Sequence, residues 1–217
     1  MQKKYLTSFG RIKARKLAQE QEIALPEIMA KYAFKEIEAG YKQVILEIGF
    51  GMGEHILHRA QNDPETLYIG CEPFVNGVAK LCKDIKNSGV TNIRIHNGDA
   101  RLLIESFPDA CLDKIYLLHP DPWPKARHNK RRIVNEQTLD MFARILKANG
   151  QMQVATDWPD YAKWILRHFL DCSRFVWQAQ GKSDWENEPE GHIQTKYQKK
   201  SLKEGRKAVF MLFAKNS

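Results

Sequence analysis

The stretch VILEIGFGMGEH, residues 44–55, decides the fold of this 217-residue chain. Residues 44–48 are apolar and mostly β-branched apart from Glu47, which is typical of a strand buried on both faces of a parallel sheet. A GxGxG turn at 49–53 follows, and a helical pattern begins at Glu54. A strand that passes through glycines into a helix is typical of the first unit of a nucleotide-binding α/β sheet.

Working outward, strands and helices alternate along the chain. Strands are predicted at 44–48, 67–71, 93–96, 115–118 and 152–155, and helices at 54–61, 73–86, 139–150 and 161–170. Gly89 is expected to cap the second helix, and Gly150 to close the third. Two last strands, 174–179 and 207–214, are predicted on either side of a polar insertion, 181–206. The alternation predicts a Rossmann-like α/β fold, with a mostly parallel sheet and helices on both faces.

The chain divides into two parts by composition. Residues 1–40 are polar or mixed, and Pro26 is expected to break any long helix there. We therefore predict a basic N-terminal extension at 1–40 and a single domain at 41–217. No apolar stretch approaches the roughly 20 residues that span a bilayer, and the cysteines form no CxxC motif. These features predict a cytoplasmic protein with no membrane contact, no metal site and no disulfide framework.

A carboxylate stands at the end of each of the five predicted strands. These residues are Glu47, Glu72, Asp99, Asp121 and Asp157. Ligands of open α/β sheets bind outside the carboxyl ends of the strands, so the pattern predicts a site at that edge. Glu72 lies where a carboxylate accepts ribose hydroxyls, and Asp99 where one could bind an adenine amine. Glu47 would repel a pyrophosphate but suits a cationic sulfonium and ammonium ligand, which favours S-adenosylmethionine over NAD.

Basic residues exceed acidic ones and lie in runs. Lys and Arg number 34 against 26 Asp and Glu, for a net charge of +8. Half of the Lys and Arg residues fall within 3–16, 125–132 and 196–207. Several cations on one surface are what neutralising phosphates requires, so the runs predict a polyanion such as a nucleic acid as the partner.

The segment HPDPWPKARHNKRR, residues 119–132, is the most specific motif. Its three prolines fix φ at alternate positions, which predicts an extended, stiff segment. We expect it to hold Asp121 beside the fourth strand, with Trp123 available for stacking, directly before a basic run.

Four motifs together resemble the tRNA (guanine-N7-)-methyltransferase family. They are EIGFGMGEH at 47–55, HPDPWPKARHNKRR at 119–132, TDW at 156–158 and TKYQ at 195–198, and the resemblance runs from about Val44 to Phe213. It implies a class I methyltransferase fold with a seven-stranded sheet whose last strand is antiparallel. It also implies methyl transfer from S-adenosylmethionine to N7 of a guanosine in tRNA, usually position 46 of the variable loop.

By motif position, the resemblance also implies roles for individual residues. The implied cofactor site comprises Glu47, Gly49, Gly51, Gly53, Glu72, Asp99 and Asp121, and Asp121 is also the implied catalytic residue. The implied substrate and RNA contacts are Lys125, Arg127, His128, Asn129, Lys130, Arg131, Arg132, Asp157, Thr195, Lys196, Tyr197 and Gln198. The family usually has Glu where this chain has Gln198, so that position lacks the usual charge.

The chemistry of N7 methylation limits what the protein must supply. N7 carries an in-plane lone pair and no proton, so its attack on a sulfonium methyl requires alignment rather than a general base. The product purine is cationic, and a nearby carboxylate would stabilise the developing charge. We expect Asp121 and Asp157 to share orienting and electrostatic work, although Asp157 also suits a helix N-cap before Trp158 and Pro159.

Three other functions remain open from the sequence. The first is a tRNA-binding module without catalysis, against which the intact GxGxG loop and its carboxylates argue. The second is a nicotinamide-dependent oxidoreductase, which the GxGxG spacing disfavours because NAD sites use GxGxxG. The third is methylation of another RNA or another guanine. The sequence is compatible with either a monomer or a homodimer.

Overall fold

Seven strands form one mixed sheet in the computed structural model, which describes residues 10, 12–14 and 16–216. The strands are β1 Gln43–Ile48, β2 Thr66–Cys71, β3 Ile93–His96, β4 Leu112–Leu118, β5 Leu146–Thr156, β6 Phe175–Trp177 and β7 Val209–Lys215. Their spatial order is β3-β2-β1-β4-β5-β7-β6. β1 to β5 pair in parallel, and β7 is antiparallel to both of its neighbours. The predicted seven-stranded fold with an antiparallel last strand is therefore confirmed.

Helices cover both faces of the sheet. They are α1 Gln19–Tyr32, α2 Glu54–Asn62, α3 Val75–Ser88, α4 Ala100–Glu105, α5 Glu136–Ile145, α6 Pro159–Asp171, α7 Ser183–Glu186 and α8 Lys196–Lys203, with a 3-10 helix at Ala126–Arg131. Gly89 ends α3 with a φ of 70° and donates its N–H to the carbonyl of Ile85, as the sequence predicts. The polar insertion contains α7 and α8, which the sequence pattern did not indicate.

Alternation along the central strand divides the core into two layers. Ile45 packs with α1, α2 and α3 in one cluster, whereas Leu46 and Ile48 pack with α4, α5 and α6 in the other. Because β1 is buried on both faces, its sequence is a nearly continuous apolar run. Glu47 is the exception, and its carboxylate lies on the face that α2 covers.

Two predictions about local structure are wrong. Pro26 lies inside α1, because Ile28 and Tyr32 of that helix are buried against α3 and this packing outweighs the local cost of the proline. Gly150 does not close a helix: α5 ends at Ile145 and β5 begins at the next residue, so Gly150 lies within the strand.

The described part of the N-terminal segment packs onto the rest of the chain. An ion pair joins Glu27 of α1 to Lys86 of α3 at 2.6 Å, and the carbonyl of Ile12 accepts a hydrogen bond from Val75 at the start of α3. Four basic residues of the predicted N-terminal run lie outside the described residues, namely Lys3, Lys4, Arg11 and Arg15. None of the helices described is long and apolar enough to cross a membrane.

Candidate active site

The glycine loop between β1 and α2 is held by a carboxylate from β2. Gly49, Gly51 and Gly53 have φ values of 73°, 57° and 80°, in the left-handed region that favours glycine. Glu72 accepts hydrogen bonds from the N–H groups of Gly51 at 2.7 Å and Phe74 at 2.9 Å. Its carboxylate is therefore a structural acceptor for the loop. The predicted ribose contact of Glu72 stays a prediction.

The electrostatics of Glu72 reflect the crowding of acids at this edge of the sheet. Burial raises the pKa of Glu72, and the nearby carboxylates of Asp121 and Glu47 raise it further, against the hydrogen bonds that it accepts. The structure thus brings together three of the residues that the sequence assigns to the cofactor.

Helix α3 begins in close contact with the glycine loop. A Cβ added at Gly77 would lie 2.0 Å from the carbonyl oxygen of Gly51, and one at Gly53 would lie 2.8 Å from Leu81 of the same helix. Both glycines are therefore required by the close approach of loop and helix. This approach fixes the shape of the loop that faces the carboxyl ends of β1 and β2.

Glu47 is paired with a buried histidine eight residues further along the chain. His55 on the first turn of α2 lies with its Nδ1 2.7 Å from a carboxylate oxygen of Glu47, and both residues are buried. The His55 ring also packs edge-on against Tyr116, with 4.8 Å between ring centroids. The spacing of eight residues does not indicate this pair, because Glu47 lies on a strand and His55 on a helix, with the glycine turn between them.

Asp99 caps the helix that follows β3. Its carboxylate accepts from the backbone N–H of Arg101 at 2.9 Å and binds the Arg101 guanidinium at 2.5 Å. Burial opposes ionisation, but the hydrogen bonds from Arg101 outweigh it and lower the pKa of Asp99. Asp99 is only partly buried at the predicted edge, and its predicted contact with an adenine amine stays a prediction.

The proline-rich segment after β4 bends rather than running straight. His119 and Trp123 have φ values of 52° and 44°, which are uncommon for residues other than glycine. The prediction of an extended segment is therefore wrong at two positions, His119 before the first proline and Trp123 between the second and the third, where φ is left-handed. The bends leave Asp121 exposed, while surrounding atoms still desolvate its carboxyl and raise its pKa.

Buried Arg132 holds this segment in place through a hydrogen bond to its backbone. It is 2% exposed, its Nε donates to the carbonyl of Pro122 at 2.9 Å, and its guanidinium lies 2.5 Å from Asp160. The guanidinium carbon also lies about 5 Å from the centres of the Tyr161 and Trp164 rings. The sequence places Arg132 among the RNA contacts, but this buried position gives it a structural role.

The rest of the basic run is accessible to a partner. Lys125, Arg127 and Lys130 are exposed on the 3-10 helix or just before it, whereas His128 and Asn129 are half-buried. The Arg131 guanidinium lies 5.0 Å from the centre of the Trp123 ring. Three exposed cations therefore lie within the nine residues that follow Asp121 in the chain.

Asp157, directly after β5, accepts three hydrogen bonds from side chains of the insertion. Its carboxylate accepts hydrogen bonds from Arg206 at 2.8 Å, from Tyr197 at 3.2 Å and from Ser201. Its side chain is 1% exposed, and the Nδ1 atom of His119 lies 3.6 Å away. Burial opposes ionisation, but the hydrogen bonds from Ser201 and Arg206 lower the pKa of Asp157. The carboxylate thus fastens α8 to the end of β5, and it does not cap α6.

The late motif, 195–198, lies beside the glycine loop. Thr195 caps α8 by accepting from the N–H of Gln198 at 3.3 Å, and the N–H of Lys196 donates to Glu54 at 2.7 Å. Glu54 is the first residue of α2, so this bond joins α8 to the end of the glycine loop. Tyr197 is 45% exposed, with its ring 5.1 Å from that of His119.

Gln198 faces away from solvent and is held by two neighbours. It is 2% exposed, its Oε1 lies 2.7 Å from Nε2 of His192, and its Nε2 donates to Glu188 at 2.9 Å. The resemblance implies Glu at this position, whereas Gln198 is neutral and the carboxylate of Glu188 lies against it.

The arrangement brings most predicted residues to one edge of the sheet. The glycine loop, Glu72 and the 195–198 segment meet there near Asp121, and the exposed basic run follows Asp121 in the chain. Sequence reasoning missed Glu54, Ser201 and Arg206 as connecting residues, because each acts on a partner far along the chain. Within the described residues, no group of His, Cys, Asp and Glu is suited to hold a metal ion.

Comparison with known proteins identifies the family. A family model described as a putative methyltransferase matches residues 41–211. A tRNA (guanine-N(7)-)-methyltransferase of Rhodopseudomonas palustris (strain BisA53) is 40% identical over 220 residues, covering 96% of this chain and 88% of that protein. One from Caulobacter vibrioides (strain NA1000 / CB15N) is 41% identical over 204 residues, covering 91% of this chain and 90% of that protein.

Solved structures support the fold independently. The 16S rRNA methyltransferase KamB has a TM-score of 0.58 at 12% identity, covering 94% of this chain and 96% of that one. A precorrin-6y C5,15-methyltransferase from Geobacter metallireducens has a TM-score of 0.52 at 15% identity, with 94% of each chain covered. At such identities the likeness concerns the fold alone. The sequence relatives decide the family, and this chain belongs to the tRNA (guanine-N7-)-methyltransferases.

Proposed function

We propose that this enzyme transfers the methyl group of S-adenosylmethionine to N7 of guanosine 46 in the variable loop of tRNA. The observation that carries the proposal is the meeting of the glycine loop, Glu72 and the 195–198 segment near Asp121, which three exposed cations follow in the chain. The names of the relatives support guanine N7 in tRNA as the target. We also propose a cytoplasmic location, with which four unpaired cysteines agree.

The cofactor carries the reactive methyl group, and the chain provides its binding site. The residues at this edge suit it: Glu72 can accept ribose hydroxyls with its remaining lone pairs, and Asp99 can accept from an amine of the base. Glu47, in its pair with His55, places negative charge beneath the loop, which suits a ligand that carries a sulfonium and an ammonium.

On the RNA side, the chain must expose and align one guanine. Extracting a base from its stack costs a few kcal/mol, which phosphate contacts by Lys125, Arg127 and Lys130 would offset. The carboxylate of Asp121 then stabilises the positive charge that develops on the ring as N7 is methylated.

The test is methyl transfer from labelled S-adenosylmethionine to unmodified tRNA, followed by aniline cleavage at 7-methylguanosine. We expect a single cut in the variable loop, lost when guanosine 46 is replaced by adenosine. Incorporation without an aniline-sensitive site would overturn N7 as the target, and a cut elsewhere would overturn position 46.

Replacing Gly77 with Ala should weaken cofactor binding. The added Cβ would meet backbone, the carbonyl of Gly51 at 2.0 Å, so the glycine loop or α3 must move. We expect the affinity for S-adenosylhomocysteine to fall by at least about tenfold, measured by calorimetry. Gly181→Ala is the matched control, because a Cβ there meets nothing within 4 Å. Normal binding by Gly77→Ala would show that the loop is not part of the cofactor site.

Salt dependence should separate exposed cations from the buried one. In the double variant Arg127→Ala, Lys130→Ala, the slope of log Kd for tRNA against log salt should fall by about 0.8 for each cation removed. Arg132→Ala should leave the slope unchanged and lower the free energy of unfolding by about 2 kcal/mol, because it loses buried packing and the bond to Pro122. If Arg132→Ala lowered the slope as much as the loss of one exposed cation does, Arg132 would be an RNA contact after all.

A further inference from the structure

A small cavity lies on the face of the sheet that α2 covers, apart from the predicted cofactor and RNA residues. Its volume is about 70 Å³. The walls come from α2, from β4, β5 and β7, and from the segment 189–192 of the insertion, which forms a roof. At roughly 30 Å³ for each water molecule, the space fits about two waters or one small tetrahedral ion.

Two cations that line this cavity form no close ion pair, although Glu190 stands in the wall and Asp63 acts on Arg59 at longer range. Arg59 of α2 and Lys114 of β4 both face it, and among the described residues no carboxylate forms an ion pair with either one. Glu47 is engaged by His55, and Glu190, the acid in the wall, is exposed to solvent. The Nε atom of Arg59 is buried and has no hydrogen-bond partner. An unpartnered buried donor is costly, and so are two neighbouring cations, so the arrangement favours an anion between Arg59 and Lys114.

The environment of Lys114 agrees with this reading. Burial and the nearby Arg59 lower its pKa to about 8, so its ammonium is still mostly protonated at neutral pH. Its Nζ lies 4.9 Å from the centre of the Tyr116 ring, which supplies no full negative charge. An oxyanion would supply that charge and accept hydrogen bonds from both cations.

We propose that Arg59 and Lys114 form a binding site for a small tetrahedral oxyanion of the phosphate type. Gln153 and Tyr116, whose side chains carry further donors, also line the wall. The roof packs closely against the Arg59 guanidinium. Gly191 has a φ of 70°, and a Cβ there would lie only 2.7 Å from Nη1 of Arg59, so the close approach requires glycine. A bound oxyanion would therefore tie the segment 189–192 to α2 and β4, and that segment leads directly into α8.

The proposal is tested by calorimetric titration of the full chain with inorganic phosphate at constant ionic strength. We expect one site per chain, weakened about tenfold or more in Arg59→Gln and in Lys114→Met, since each removes a charged donor. Arg167→Gln is the matched control, because that side chain is 82% exposed on α6, and it should bind as the unaltered protein does. Unchanged binding in a folded Arg59→Gln or Lys114→Met variant, or no binding by the unaltered protein, would overturn the site.

A second titration distinguishes free phosphate from a phosphate of bound RNA. If a tRNA phosphodiester occupies the cavity, inorganic phosphate should weaken tRNA binding more than chloride of equal ionic strength does, and Lys114→Met should remove that difference. If the oxyanion is free in solution, phosphate should still bind in the tRNA complex. Neither titration requires methyl transfer, so failure of this site and failure of the proposed reaction are separate outcomes.

Discussion

Asp121→Ala should lower kcat for methyl transfer by about 10²- to 10³-fold while the affinity for S-adenosylhomocysteine changes less than about tenfold. Asp121 is exposed on the bent segment after β4, and it lies close enough to Glu72 to raise the pKa of that residue. It makes no contact that holds the glycine loop, unlike Glu72 itself. Its removal should therefore spare cofactor binding and remove the charge that stabilises the methylated purine.

Asp121→Asn distinguishes charge from orientation. If the charge matters, Asn should be nearly as inactive as Ala, and if a hydrogen bond to guanine matters, Asn should retain most of the activity. Desolvation by surrounding atoms raises the pKa of Asp121 above the ordinary aspartate value of about 3.9. The activity of the unaltered enzyme should therefore fall as the pH drops through this raised pKa, and both variants should lack that dependence. Equal losses in kcat and in cofactor affinity would contradict the catalytic assignment.

The fold was predictable because the patterns that indicate it lie among neighbouring residues in the sequence. Residues 44–55 show strand, glycine turn and helix within twelve positions, and the alternation downstream repeats that unit. The strand ends were also predictable, since each apolar run stops at a polar residue. The prediction for Pro26 was wrong because the low helix propensity of proline carries no information about the packing of Ile28 and Tyr32 on α3.

The sequence predicted which residues belong to the site, but not which of them are buried or what each one contacts. Arg132 stands in a run of cations and has no local feature that separates it from Lys130, yet one is buried and the other exposed. The difference comes from Asp160 and the aromatic rings of α6, which are 28 or more positions away. Asp157 and Arg206, 49 positions apart, form another pair that no local pattern indicates. Contacts of this kind decide which motif residues are free to meet a ligand.

Asp157→Asn should be the most destabilising substitution in the site. Asp157 accepts hydrogen bonds from Ser201, Tyr197 and Arg206 in a position where its own side chain is 1% exposed. An amide cannot accept all three, so the loss in free energy of unfolding should be about 3 kcal/mol, measured by urea denaturation at pH 7. Ser201→Ala, which removes one of the three donors, should cost less.

The pH dependence of that loss follows from the direction of the pKa shift. The pKa of Asp157 is lowered in the folded state, so its ionised form contributes stability above the unfolded pKa of about 3.9, and this contribution disappears as the pH falls through the folded value. The difference between the unaltered protein and Asp157→Asn should thus be constant from pH 7 to about 5 and shrink below about 4. A difference that grows on acidification would contradict the network.

The same variants decide whether Asp157 also contacts guanine. If it only anchors α8, Asp157→Asn should raise KM for tRNA by displacing Tyr197 and the 195–198 segment, and Arg206→Gln should do the same because it breaks the same anchor from the other side. If Asp157 also binds the base, its substitution should lower kcat well beyond the effect of Arg206→Gln at saturating tRNA. Parallel steady-state kinetics of the two variants give the answer, because both disturb one network and only Asp157 lies at the end of β5.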